Sequence, residues 1–235
     1  MKEVTIRYED GREKTKIAYG TRVHEVFVDL INEAKDNPVI AATINNELVS
    51  LSFKIEINAE IKAVQLYSNT GIRLFRRTLS FILAKASVNL FPERHLVISH
   101  SLGDSFYYYY SGLEEVSDDD IALLQTEMNR IVESKCSIDR RVISYSEAID
   151  FFKKVNQPAT ALLLKYRNES KIPIYNCGGF IDISYEPLLP NTDLLKPFEL
   201  YNYAPGFLLR YPNRKEPHKM AAFKDMPSLF SVYKE

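Results

Sequence analysis

The chain opens with Val4-Thr5-Ile6-Arg7-Tyr8, in which apolar and polar side chains alternate, followed by the turn sequence Glu9-Asp10-Gly11-Arg12. A period of two is typical of a half-buried β-strand, and an Asp-Gly pair between two such stretches is a strong hairpin signal. Residues 13–17 supply the returning strand. The sequence therefore predicts that the fold begins with a β-hairpin.

The segment after this hairpin predicts one helix and three more strands. Thr21 can cap a helix whose apolar residues recur at three- and four-residue intervals, and Asp36-Asn37-Pro38 ends it. Apolar stretches at 39–44, 48–53 and 61–66 then read as strands. Residues 1–66 are predicted to form one small domain, which closes before the polar stretch Ser68-Asn69-Thr70-Gly71.

The rest of the chain predicts a larger α+β domain over residues 71–235. Helical spacing of apolar residues from Arg73 to Leu90 ends before Pro92, and Ser117 can cap a helix that starts with three aspartates. Further helices are predicted at 144–155 and 159–166, and mostly antiparallel strands at 95–102, 105–110, 174–176, 180–184, 198–202 and 206–211.

Composition excludes several classes of protein. With 30 Lys and Arg against 31 Asp and Glu, the net charge of −1 gives no general attraction to nucleic acid, so any RNA contact must be local. The two cysteines, Cys136 and Cys177, are not at a metal-binding spacing, and no long apolar run or signal sequence is present. A cytoplasmic protein with no membrane contact is expected.

Two sets of motifs resemble the N-terminal region of threonyl-tRNA synthetases. Residues 1–66 resemble the TGS domain, a small β-grasp module, through Asp10-Gly11, Tyr19-Gly20-Thr21 and the stretch from Ile44 to Leu51. The following domain resembles the second additional domain of those enzymes, which hydrolyses mischarged tRNA; the matching motifs are Leu90-Phe91-Pro92, Ser105-Phe106-Tyr107-Tyr108, Asp119-Asp120-Ile121, Ser146-Glu147-Ala148 and residues 182–192.

The resemblance also identifies a degenerate metal site. The family's editing domain carries a HxxxH pair on its first long helix and a later Cys and His four residues apart, and these side chains can grip a metal ion or polarise an ester. The corresponding positions here are Arg77, Phe81, Ser184 and Leu188. We therefore expect no metal. Of the family's conspicuous polar residues only Asp182 is retained here, and it is a weak catalytic candidate.

A second resemblance implies a kinase. The pairing of a TGS domain with an editing-like domain without its ligands is similar to the N-terminal half of bacterial uridine kinase-like nucleoside kinases, through residues 95–103, 174–182 and 206–212. In that family a phosphate-loop kinase domain follows, so it would lie beyond Glu235. ATP and Mg²⁺ are expected only for such a downstream domain, and this segment is expected to need no cofactor.

Three functions are compatible with the sequence. The favoured hypothesis is a non-catalytic binding or regulatory region of a nucleoside kinase, with its own kinase domain as partner. The alternative is a stand-alone module that binds tRNA or another structured RNA through local basic groups. A third is metal-independent ester hydrolysis by Asp182 and Ser184. The candidate RNA contacts are Arg73, Arg76, Arg77, Arg140, Arg141, Arg210, Arg214 and Lys215.

Overall fold

A computed structural model describes residues 2–33, 36–155, 157–166, 169–213 and 216–225. The fold is α+β with mostly antiparallel sheets, which confirms the predicted class. The chain divides into two compact units, one of Met1–Gln65 with Cys136–Asn191 and the other of Leu66–Lys135 with Thr192–Glu235. The first change of unit coincides with the predicted boundary near residue 66, while the domain bounds 1–66 and 71–235 stay a prediction.

The N-terminal part of the first unit is built around a five-stranded sheet of order β2-β1-β7-β4-β5. The neighbours β1 and β7 are parallel, and the other three pairs are antiparallel. Two short helices pack on it, and their apolar side chains join a core with Val4, Ile6 and Ile61. The elements are β1 (Glu3–Tyr8), β2 (Thr15–Ala18), β3 (Thr21–Arg22), α1 (Val23–Val26), α2 (Val28–Glu33), β4 (Val39–Ile44), β5 (Glu47–Ser50), β6 (Lys54–Ile55) and β7 (Ala59–Gln65).

The predicted hairpin forms, but the predicted helix does not begin at Thr21. Val4 pairs with Ile17 across the β1–β2 hairpin. Thr21 lies in β3, where its hydroxyl donates a hydrogen bond to the carbonyl of Ala18 (2.8 Å), so it does not cap a helix. The helical stretch is also interrupted at Phe27, which separates α1 from α2.

The second unit contains a four-stranded sheet of order β13-β14-β9-β8 and two helices that pack against each other. On α3 the hydroxyls of Ser80 and Ser87 hydrogen-bond to Tyr108 (2.6 Å) and Tyr110 (2.9 Å), which lie buried on the central strand β9. The elements are α3 (Asn69–Leu90), β8 (Leu96–Ser101), β9 (Ser105–Tyr110), α4 (Asp118–Glu133), β13 (Glu199–Tyr203) and β14 (Gly206–Arg210).

The C-terminal segment of the first unit is a three-stranded sheet of order β10-β11-β12 covered by two helices. Its edge strand β10 was not predicted, because Asp139, Arg140 and Arg141 give it no apolar alternation. Ser144 caps the helix that follows, and Glu147 completes a capping box. The elements are β10 (Asp139–Ser144), α5 (Tyr145–Lys154), α6 (Pro158–Leu164), β11 (Lys171–Cys177) and β12 (Phe180–Ile183).

Candidate functional site

The degenerate metal-site positions contain no group that could hold a metal ion. Arg77 and Phe81 lie one turn apart on α3 in the second unit, and Phe81 is buried. Ser184 and Leu188 lie after β12 in the first unit, where Leu188 is buried and the Ser184 hydroxyl donates to the carbonyl of Glu186 (2.7 Å). A phenyl ring and an isobutyl group cannot ligate a metal, so these residues do not fit the metal that the family resemblance implies.

Asp182 lies on β12 with its carboxylate turned towards α6. One carboxylate oxygen accepts hydrogen bonds from the Ile183 amide (2.8 Å) and the Thr160 hydroxyl (3.2 Å). Burial raises the pKa of Asp182 to about 6, although these two hydrogen bonds act in the opposite direction. The carboxylate thus has local partners typical of a structural residue, and its use in catalysis stays a prediction.

Asp182 should make the stability of the fold depend on pH. Because its pKa in the folded state lies above the ordinary 3.8, its contribution is fully present below pH 4 and is lost as the pH rises through about 6. Asp182→Asn is therefore expected to lie within about 0.5 kcal/mol of the parent at pH 4 and to be more stable by about 2–3 kcal/mol at pH 7.5. Urea unfolding at both pH values measures this, with the exposed Asp150→Asn as control. An equal effect at both pH values would contradict it.

Two of the predicted RNA-binding arginines are held by internal contacts. The Arg76 guanidinium lies 3.7 Å from the Asp104 carboxylate and stacks over the Tyr211 ring at 4.3 Å. Arg210 forms an ion pair with Glu199 and donates a hydrogen bond to the carbonyl of Ala221 (2.6 Å). Each of the two guanidinium groups thus already has an acidic partner that partly neutralises its charge, and their contact with RNA stays a prediction.

The other predicted arginines differ in accessibility. Arg73 is exposed and Arg77 half-buried on α3, and both have partners within the protein. Arg214 and Lys215 lie outside the described residues. Arg140 and Arg141 are exposed on the edge strand β10, and neither forms an ion pair with any of the residues that the structure describes.

Arg140 borders a groove within the first unit that we call the hairpin groove. It consists of two adjoining cavities of about 440 and 260 Å³, which share Ser50, Phe53, Arg140 and Tyr175. One wall is the segment from β5 to β6, and the other is the face of β10 and β11 that carries Arg140 and Tyr175, which are paired in register. Leu188 lies in the wall of the larger cavity.

The hairpin groove combines cations with aromatic rings. Its aromatic side chains are the buried Tyr175 and the exposed Phe53 and Tyr185, the last of which is 75% exposed. Its charged lining residues are Arg22, Lys54, Arg140 and Lys171 against Glu47, Asp139 and Glu169. Cations beside exposed aromatic rings are the side chains that contact phosphates and bases in single-stranded nucleic acids.

Arg141 belongs to the opposite face of the same strand. It pairs in register with Ile174, whose side chain packs with α5 and α6, so Arg141 points away from the hairpin groove. Both arginines were predicted from the sequence as RNA contacts, but the sequence did not indicate that they lie on opposite faces of one strand. It did not indicate Arg22, Lys54 or Lys171, because these residues come together only through the packing of distant segments.

Two further properties concern metals and membranes. Among the described residues there is no group of three or more His, Cys, Asp and Glu side chains that could hold a metal ion. None of the helices that the structure describes is long and apolar enough to cross a membrane.

Comparison with known proteins identifies relatives among threonine–tRNA ligases. The chain is 33% identical over 169 residues to the ligase of Carboxydothermus hydrogenoformans, an alignment that covers 72% of this chain and 27% of the relative. Identity is 30% over 182 residues with the ligase of Ehrlichia canis (77% and 29%) and 28% over 208 residues with that of Caldanaerobacter subterraneus (88% and 32%). No family model matches the chain.

These relatives confirm the predicted relationship to the N-terminal region of threonyl-tRNA synthetases. The chain spans less than a third of the length of these ligases. They give no support to the predicted relationship to uridine kinase-like nucleoside kinases, or to a kinase domain as partner. Of the functions predicted from the sequence, they favour the RNA-binding alternative over the kinase hypothesis.

Proposed function

We propose that this chain binds tRNA through the hairpin groove and does so without metal-dependent ester hydrolysis. The observation that carries the proposal is the groove itself, in which Arg140 and Lys171 extend from neighbouring strands beside exposed aromatic rings. The similarity to threonine–tRNA ligases supports tRNA as the nucleic acid. The proposal concerns tRNA contact alone, since the chain matches only part of each ligase.

The groove carries a local excess of one positive charge, four cations against three acids, on a protein of net charge −1. Four cations line the two cavities, and the exposed Arg140 has no acidic partner among the described residues. Each cation that neutralises a phosphate releases condensed counterions, which favours binding at low salt. Binding should therefore be local, electrostatic and strongly dependent on salt.

The side chains at the replaced positions support binding without hydrolysis. The Ser184 hydroxyl already donates its proton to the Glu186 carbonyl, and no base is placed to activate it by any contact that the described residues show. Phe81 and Leu188 offer neither a metal ligand nor a proton acceptor. Of the two RNA-related hypotheses, binding is therefore better supported than hydrolysis.

Fluorescence anisotropy with labelled tRNA tests the proposal. If about four phosphates are neutralised, the affinity should fall by roughly 100-fold between 50 and 200 mM NaCl, because the logarithm of the affinity falls by about 0.9 per contact for each unit of log salt. An unstructured RNA of equal length serves as the comparison for structure preference. Absence of tRNA binding at 50 mM NaCl, or an affinity that does not change with salt, would contradict the proposal.

A further inference from the structure

In the second unit the ring of Phe223 lies in a slot on one face of the four-stranded sheet. The opposite face carries Tyr108 and Tyr110, which hydrogen-bond to α3. The slot is formed by Tyr201 and Tyr203 of β13 and by Arg210 of β14, and it contains the ring of Phe223. The Phe223 ring stacks on Tyr201 with centroids 4.2 Å apart and an interplanar angle of 27°, and it meets Tyr203 edge-on at 6.2 Å. The Arg210 guanidinium lies 5.3 Å from the Phe223 ring.

Phe223 reaches the slot on a strap, residues 216–225, that contains no helix or strand. The strap also makes hydrogen bonds from Arg210 to the Ala221 carbonyl and from the Tyr203 hydroxyl to Asp225 (2.8 Å), and the ring of His218 meets that of Tyr67 edge-on at 5.3 Å. Ala221, Ala222, Lys224 and Asp225 are exposed. Pro217 and Met220 of the strap are half-buried like Phe223, so Phe223 is the side chain that fills the slot but one of several contacts of the strap.

A cavity of about 310 Å³ adjoins the slot beneath the strap. Its walls include Tyr203, Leu208 and Phe223 together with the polar side chains of Asp104, Ser105 and Lys224. This volume lies at the lower end of the range for small-ligand sites. It offers hydrogen-bonding groups beside the flat surface on which Phe223 stacks.

We infer that the slot of Tyr201, Tyr203 and Arg210 is a stacking site for an unpaired base of the bound RNA, and that Phe223 occupies it in the free protein. Proteins hold splayed-out bases by stacking on tyrosine rings and on arginine guanidinium planes. The ion pair with Glu199 neutralises Arg210 as a phosphate contact but leaves its guanidinium plane for stacking. The inference rests on the proposed RNA binding and adds a second contact site.

Competition between the ring and the base gives a direct test. With labelled 12-nucleotide oligoadenylate as probe, Phe223→Ala is expected to raise the affinity by roughly five-fold or more. This is the low end of the range of affinity changes that one stacked base contributes. The further change Tyr201→Ala should abolish that gain, and Phe223→Tyr, which keeps a ring, should bind like the parent. Unchanged or weaker binding by Phe223→Ala, or a gain that survives Tyr201→Ala, would overturn the inference.

A measurement on the unmodified protein keeps the test independent of how well the variants fold. Because the base displaces Phe223, saturating oligoadenylate should speed tryptic cleavage after Lys219 in the strap. Mass spectrometry measures the rate of this cleavage. Unchanged or slower cleavage overturns the inference. If the parent binds tRNA in the salt-dependent way and these tests fail, only the base site is wrong; if it binds no RNA at all, the proposed function fails and the base site fails with it.

Discussion

Replacing Gly206 by alanine is expected to prevent the second unit from packing as described. Gly206 is buried at the start of β14, beside the central strand β9. An added Cβ would lie 2.8 Å from the Tyr107 hydroxyl and well inside van der Waals distance of the Tyr108 carbonyl. Since the second neighbour is backbone, relief requires the two strands to separate. We expect the free energy of unfolding to fall by about 3 kcal/mol or more, which is at the upper end of the range for substitutions that overpack a core.

Urea unfolding of the purified variant measures this loss, and Gly179→Ala is the matched control. Gly179 has a φ of +88°, and an added Cβ there would meet nothing within 4 Å. That substitution therefore introduces backbone strain without a steric clash, and we expect it to lower the free energy of unfolding by about 1–2 kcal/mol. If both variants unfold at the same urea concentration, the close approach of β14 to β9 is not as described.

Reversing the charges of Arg140 and Lys171 together is expected to lower tRNA affinity by roughly 100-fold at 50 mM NaCl, since two phosphate contacts are lost and repulsion is added. Both side chains line the smaller cavity of the hairpin groove and both residues are exposed. The salt dependence should also weaken, with a slope lower by about two.

Stability must be measured beside affinity for this variant. Exposed substitutions away from caps and ion pairs usually change the free energy of unfolding by less than about 0.5 kcal/mol, so the double reversal of Arg140 and Lys171 should unfold like the parent. A variant that keeps its stability and still binds tRNA at parental affinity would place the RNA elsewhere on the molecule.

Regular local patterns made most of the fold predictable. The alternation in β1, the Asp-Gly turn and the spacing along α3 each come from residues close together in sequence. The edge strand β10 was missed because its stability comes from pairing with β11, about thirty residues later, and its exposed residues carry no apolar alternation. The apparent cap at Thr21 failed because its hydroxyl bonds back to Ala18.

The candidate site was only partly predictable, because charge in a sequence does not reveal pairing in space. Arg76 and Arg210 read like the other arginines, yet the structure pairs them with Asp104 and Glu199. Arg140 and Arg141 are neighbours in sequence, but successive side chains of a strand point to opposite faces. Arg140 therefore points towards the hairpin groove and Arg141 away from it. Lys171 carried no signal, since its position beside Arg140 depends on tertiary structure.

The affinities of Arg140→Glu and Arg141→Glu for the same tRNA, measured side by side at 50 mM NaCl, decide whether tRNA binds through the hairpin groove. The two substitutions change the net charge identically and lie on adjacent exposed residues of β10, so they differ only in the face of the strand. Binding through the hairpin groove predicts that Arg140→Glu binds roughly ten-fold more weakly than Arg141→Glu. Equal affinities, or a weaker Arg141→Glu, would contradict it.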